Sequence, residues 1–160
     1  MQSGLQPGEQ AGVEARYRVM LIIWAALLAS VGVYALIGFV ARPAGAGAGG
    51  ATADPTLLFV FGALGLSTAA LSFVVKAALL KQAAVKRDAA GVQTAYIVAL
   101  AVCESSALFG LVALFVTGDG RSFVLFAVCV ACMLLHKPRR EHLLAATSGG
   151  GGQLGSFGKS

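Results

Sequence analysis

Uncharged apolar runs alternate with short polar segments along this chain, and four of the runs are candidates for membrane-spanning helices. Residues 19–41 carry no charge, and a helix of that length is about 35 Å long, enough to cross the ~30 Å hydrocarbon core of a bilayer. Two further candidates are residues 55–80 and 89–117, and the fourth, 121–136, has a shorter uncharged stretch. This pattern predicts an all-α membrane protein with four transmembrane helices in an antiparallel up-down bundle.

Polar segments divide the chain into a tail, a membrane domain and a second tail. The expected boundaries are 1–18 for the N-terminal tail, 19–136 for the membrane domain and 137–160 for a basic, then glycine-rich tail. Proline and repeated glycines after the first run predict a loop. The connector after the second run has no helix breaker, so we expect that helix to continue, and Asp88 is placed to cap the third.

Composition indicates a membrane protein and excludes several functions. The 160 residues are 58% hydrophobic and only 12% charged, and the mean hydropathy is +0.82. Such a chain cannot supply the charged surface of a soluble enzyme, and it is too apolar to be disordered throughout. The net charge is +5, but the basic residues flank apolar runs rather than form an aromatic-lined face. The predicted partners are therefore the lipid bilayer and its anionic headgroups, with no nucleic acid.

Lysine and arginine residues are distributed unequally between the two sides of this topology. The rule that positive residues collect inside predicts both termini in the cytoplasm, for a multi-pass protein of the bacterial inner, or plasma, membrane. Arg42 and Arg121 lie on the opposite side. The cytoplasmic set is Arg16, Arg18, Lys76, Lys81, Lys86, Arg87, Lys137, Arg139, Arg140 and Lys159.

The segment after the fourth run combines a helix breaker with basic residues. Pro138 ends the helix, and the surrounding basic cluster is expected to anchor the chain at the inner headgroups. Leu143 and Leu144 follow, and they predict a short amphipathic turn that either lies on the surface or docks a partner.

Glu104 is the only charged residue inside the third run and the first candidate for chemistry. A carboxylate near the middle of a bilayer costs about 2.5 kcal/mol or more, so desolvation should favour the neutral acid, which can take up and release a proton. The alternative is that the acid stays protonated and acts as polar glue, hydrogen-bonded to Ser67, Thr68 or Ser72 of the second helix.

Small residues on the second helix predict its close packing on the third. Gly62, Gly65 and Ala69 recur at spacings of three and four, which allows two helices to approach closely. Matching depths from the shared connector places this stretch, including Thr68, level with Glu104.

Residues 101–114, AVCESSALFGLVAL, resemble the carboxylate-bearing helix of the proteolipid, subunit c, of rotary ATP synthases. The similarity covers the hairpin at 57–118 and leaves the first and fourth helices outside it. It implies that Glu104 is the ion-carrying carboxylate. Val102, Glu104 and Ser105 match the Val-x-Glu-Ser pattern of sodium-binding members. The candidate ion-binding residues are Glu104, Ser105, Val102 and also Thr68, which the matched depth places level with Glu104.

The sequence departs from the sodium-binding pattern at two places. The second helix has no glutamine, and Phe109 stands where those members have tyrosine. A proton is therefore the expected ion. Two functions stay open, a proton-linked membrane component acting through Glu104 and a non-catalytic scaffold or assembly subunit in which the carboxyl is structural. A homo-oligomer or a larger membrane complex is compatible with both.

The cysteines suggest metal or redox chemistry only weakly. Cys129 and Cys132 form a C-x-x-C pair with His136 four residues later, but no second pair completes a tetrahedral zinc site. We interpret these two residues and Cys103 as small, buried, apolar side chains. No cofactor is expected, and no residue set outside the membrane suggests an enzyme.

Overall fold

The computed structural model describes residues 7–41 and 55–147, and this part of the chain is helical without any strand. The predicted all-α class is confirmed. The predicted loop after residue 42 and the glycine-rich end of the second tail lie outside the described residues. The elements are α1 (Pro7–Val40), α2 (Pro55–Lys86), α3 (Ala89–Thr117), a 3₁₀ turn (Gly120–Ser122), α4 (Phe123–Leu135) and α5 (Arg140–Thr147).

Three of the helices are long and apolar enough to cross a membrane. They contain the apolar stretches Ala11–Val40, Pro55–Lys86 and Ala89–Thr117. The fourth helix, α4, has 13 residues, which gives about 20 Å at 1.5 Å per residue and is shorter than the hydrocarbon core. These three helices therefore identify the chain as a membrane protein, and its fourth apolar run forms a short helix.

The helix α1 begins at Pro7 and so includes most of the polar segment at 1–18. Proline is compatible with the first turn of a helix because the N–H groups there have no intrahelical acceptor. The polar residues before the first apolar run therefore extend the first spanning helix.

The α2–α3 hairpin turns within two residues. As predicted, α2 continues through the connector, and it ends at Lys86. Arg87 adopts a left-handed conformation with φ 51°, and the amides of Arg87 and Asp88 donate to Ala84 and Ala83, the arrangement of a Schellman motif. The Asp88 carboxylate then accepts from the amide of Ala90 at 2.9 Å, which confirms the predicted cap of α3.

The central helix is α3, which contacts α1, α2, α4 and α5. Large apolar side chains on the outer faces of α1 and α2 are exposed, for example Phe39 at 73% and Phe59 at 75%. In a bilayer such faces meet lipid.

The helix α2 packs on α3, as predicted, and its small residue Gly65 also approaches α4. A Cβ atom on Gly65 would lie 2.9 Å from Leu125 of α4, and one on Gly62 would meet nothing within 4 Å. A Cβ atom on Gly110 of α3 would also lie 2.9 Å from the Cβ of Leu125. Leu125 therefore fits between two glycines, and the close approach at Gly65 is to α4 rather than α3.

The last helix, α5, packs against the same end of the bundle as the α2–α3 turn. Its Leu143 is fully buried in a cluster with Val13, Met20, Ala83 and Tyr96. Leu143 therefore takes neither of the two expected roles, because it packs inside this chain.

Candidate functional site

Glu104 lies on the side of α3 that α1 covers. The Oγ atom of Ser30, on α1, is hydrogen-bonded to Oε1 of Glu104. The hydroxyl of Tyr34 interacts with the side chains of both Glu104 and Ser30. Residues four apart share one face of a helix, so α1 presents both hydroxyls together. We call Ser30, Tyr34 and Glu104 the carboxyl site.

Apolar residues surround the carboxyl site, and Glu104 itself is partly buried. Its chain neighbour Cys103 and the next turn's Ala107 are fully buried, as is Val31 beside Ser30. These residues belong to one apolar cluster that joins α1, α3 and α4. The hydroxyls of the carboxyl site are therefore important for stabilising a negative charge, because the surrounding side chains offer few donors.

The hydroxyl hydrogen of Ser30 has two alternative acceptors. Its Oγ lies 2.7 Å from the carbonyl oxygen of Leu27 and also contacts Glu104, yet a serine hydroxyl carries one hydrogen. If Glu104 is protonated, it can donate to Ser30 while Ser30 donates to Leu27. If Glu104 is ionised, Ser30 can rotate its hydrogen to the carboxylate. The site thus accommodates both protonation states with one hydroxyl rotation.

The structure does not gather all the predicted ion-binding residues around Glu104. The hydroxyl of Ser105 donates to the carbonyl of Ala101 at 3.2 Å, and that of Thr68 lies 2.9 Å from the carbonyl of Gly65. Both hydroxyls thus bond to their own helices, and Val102 is a partly buried side chain on α3.

The hydroxyl partner of Glu104 comes from α1 instead of the expected α2. Ser67 and Ser72, the other two α2 candidates, donate to the carbonyls of Ala63 and Ala69 in their own helix. The depth argument considered only the α2–α3 hairpin, whereas α1 also crosses at this level. The signal for Ser30 and Tyr34 was their spacing of four within an otherwise apolar run.

Cys129 pairs with a different cysteine from its neighbour in the C-x-x-C pattern. Its Sγ lies 4.0 Å from that of Cys103, and each thiol also approaches the other residue's carbonyl oxygen. Both are buried free thiols, as expected, and Cys132 is partly buried. Within residues 7–41 and 55–147, no three His, Cys, Asp or Glu side chains are arranged to hold a metal ion.

His136 is the C-cap residue of α4, and its ring packs against neighbouring residues. Its Nε2 lies 3.3 Å from the hydroxyl of Ser72, and its Nδ1 lies 2.9 Å from the carbonyl oxygen of Cys132. Its ring and that of Phe73 are in a T-shaped arrangement with a centroid distance of 4.3 Å. This buried histidine therefore connects the end of α4 to α2.

A second polar network holds α5 against α3. The Tyr96 hydroxyl lies 2.8 Å from Nδ1 of His142 and accepts from the amide of Arg139 at 3.3 Å. Burial and the nearby Lys76 and Arg139 lower the pKa of His142, which keeps the ring neutral at pH 7. A neutral Nδ1 can accept the Tyr96 proton. The ammonium group of Lys76 lies 4.4 Å from the centre of the Tyr96 ring, in a cation–π contact.

No protein-family model, curated protein sequence or solved structure matches this chain. The similarity of residues 57–118 to subunit c stays a prediction from the sequence. The chemistry of the carboxyl site is therefore the basis on which a function can be proposed.

Proposed function

We propose that this chain is a small integral membrane protein in which Glu104 binds and releases a proton within the membrane. The observation that carries the proposal is the hydrogen bond between Ser30 and Glu104, because the single hydrogen of Ser30 also has the Leu27 carbonyl as an acceptor. A group that must change protonation in an apolar setting needs hydrogen-bond partners in both states. Rotation of the Ser30 hydroxyl supplies them.

The electrostatic surroundings of Glu104 also support a proton-binding role. Within the part of the chain that the structure describes, the ion pairs are those that Glu14 makes with Arg18 and Arg140, and Glu104 has no cationic partner. A paired carboxylate would be held in its ionised form. Hydroxyl partners leave Glu104 free to exist in either form.

The carboxyl site suggests a proton relay in a small bundle rather than a rotor ring. Subunit c works in a ring whose carboxylates must be reached by a stator, whereas α1 contacts Glu104 here through Ser30. We therefore propose that the α2–α3 hairpin is proteolipid-like but acts with α1 as its fixed neighbour.

The proposal includes four crossings of a bacterial inner membrane, with both termini in the cytoplasm. For α4 to cross, Arg121 and Lys137 at its two ends must extend to the headgroups and the bilayer must thin locally. We expect a reporter fused after Arg140 to be cytoplasmic, because ten of the twelve Lys and Arg residues then lie on that side. An outward-facing reporter at this position would show that α4 does not cross.

Carbodiimide labelling in membranes tests the proton-binding role. Hydrophobic carbodiimides react with protonated carboxyls, so we expect labelling of Glu104 that slows as the pH rises and is absent in Glu104→Gln. The Glu141→Gln variant, which changes a carboxyl outside the membrane domain, should label like the parent protein. Ser30→Ala removes a donor to the ionised form, so its labelling should persist to a higher pH.

A non-catalytic scaffold or assembly subunit is the second candidate function. It is favoured by the position of the Ser30–Glu104 bond, which joins α1 to α3 within the bundle and can serve as polar glue. This function would replace the first if Glu104 does not label while Glu104→Gln folds normally and leaves proton flux across the membrane unchanged. Copurification from native membranes would then identify the complex.

A further inference from the structure

A cavity opens at the end of the bundle where α4 gives way to α5. Its volume is about 500 Å³. Residues from α1, from the last turn of α4 and from the segment that follows line it. The principal lining residues are Tyr17, Leu134, Leu135, Lys137, Arg139 and Arg140.

One wall of the cavity is cationic. Lys137, Arg139 and Arg140 line it together with the carboxylate of Glu141, and Glu14 pairs with Arg140, so one positive charge is left in excess. Two of the three cations are positioned by other contacts. The Arg140 guanidinium lies 3.4 Å from the carboxylate of Glu14 on α1, and the backbone of Arg139 donates to the Tyr96 hydroxyl. This arrangement favours a phosphate or another anion.

The adjoining wall of the cavity is apolar and exposed. Leu134 and Leu135 end the apolar helix α4 and are 53% and 70% exposed, and one residue, His136, separates them from Lys137 in the chain. Tyr17 adds an aromatic ring with a polar tip, a residue type typical of the membrane interface. A free anion would use only the cationic wall. An amphipathic anion uses both.

We propose that this cavity binds one anionic phospholipid, whose phosphate contacts Lys137, Arg139 and Arg140 and whose acyl chains lie along Leu134 and Leu135. The proposal goes beyond proton binding at Glu104 and does not depend on it. Docking of α5 through Leu143 holds the cationic wall beside the end of α4. The lipid is a ligand of a formed cavity and not only a counterion to a basic surface.

Native mass spectrometry of the full chain, loaded from vesicles of phosphatidylglycerol or phosphatidylcholine, tests the proposal. We expect one retained phosphatidylglycerol per chain and no retained phosphatidylcholine. The variant with Lys137→Gln, Arg139→Gln and Arg140→Gln should bind about 100-fold more weakly, because each cation near an anionic lipid contributes about a five-fold factor. If that variant does not fold, Lys137→Gln alone, at an exposed residue, should show the five-fold loss.

A matched variant distinguishes the cavity from general charge attraction. Lys81→Gln, Lys86→Gln and Arg87→Gln together remove the same charge from the exposed end of α2 and the turn after it, outside the cavity, and should leave phosphatidylglycerol binding unchanged. An equal loss in both triple variants would overturn the proposal. Displacement of the lipid by inorganic phosphate at equal concentration would also overturn it, since the apolar wall would then contribute nothing. Glu104→Gln should bind the lipid normally. Failure of the lipid proposal can therefore be distinguished from failure of the proton-binding proposal.

Discussion

Gly110→Val is expected to destabilise the helical bundle by about 1–3 kcal/mol, the usual effect of forcing extra atoms into a packed core. A Cβ atom at this position would lie 2.9 Å from the Cβ of Leu125 and 3.3 Å from the carbonyl oxygen of Ser122. Neither atom can move away by a side-chain rotation, because both are fixed by the backbone of the segment that begins α4. Unfolding in a denaturing detergent, followed by circular dichroism, measures the change.

Gly62→Val is the matched control for this substitution. It makes the same chemical change in a spanning helix, but nothing lies within 4 Å of the added Cβ atom. We expect little change or a slight gain in stability, since glycine has a lower helix propensity than valine. Equal destabilisation by the two substitutions would mean that α4 does not pack closely on Gly110.

Leu143→Ala is expected to release α5 from the bundle. Leu143 is fully buried, and truncating a buried leucine costs about 2–5 kcal/mol. An eight-residue helix is too short to be stable without packing, so the loss should appear as local unfolding rather than as collapse of the spanning helices. Faster tryptic cleavage at Arg139 and Arg140, with unchanged helix content, is the expected result.

The control for this experiment is Leu135→Ala, which truncates a leucine that is 70% exposed at the end of α4. Its cleavage rate should match that of the parent protein in detergent. If both variants are cleaved alike, the segment after α4 is accessible for another reason, and the docking of Leu143 does not control it.

Local features of the chain are sufficient to predict the individual helices. An uncharged run of sufficient length must satisfy its backbone within a helix in lipid, which is why the three long helices were predictable. The cap at Asp88 follows from a side chain that bonds to the amide two residues later. The short length of α4 could also be predicted from the sequence, since the fourth uncharged run is short.

Contacts between segments far apart in the chain were not predictable in the same way. Ser30 and Glu104 are 74 residues apart, and the pairing depends on which face of α1 turns toward α3. From Val19 onward α1 is apolar around most of its circumference, so its hydrophobic pattern does not select a face. The depth argument therefore placed Glu104 beside α2, and the packing of α1 placed it beside Ser30.

The sequence by itself thus determined that the chain lies in lipid, where its helices form, and that one acid lies within an apolar run. These features depend on neighbouring residues and on the cost of burying charge. Tertiary structure alone decided which hydroxyls meet Glu104, that Cys129 faces Cys103, and that Leu143 docks on its own chain. Each of these depends on the rotation and register of packed helices. Steric fit between side chains, as for Leu125 between Gly65 and Gly110, depends on that rotation and register, and a hydrophobic pattern does not encode it.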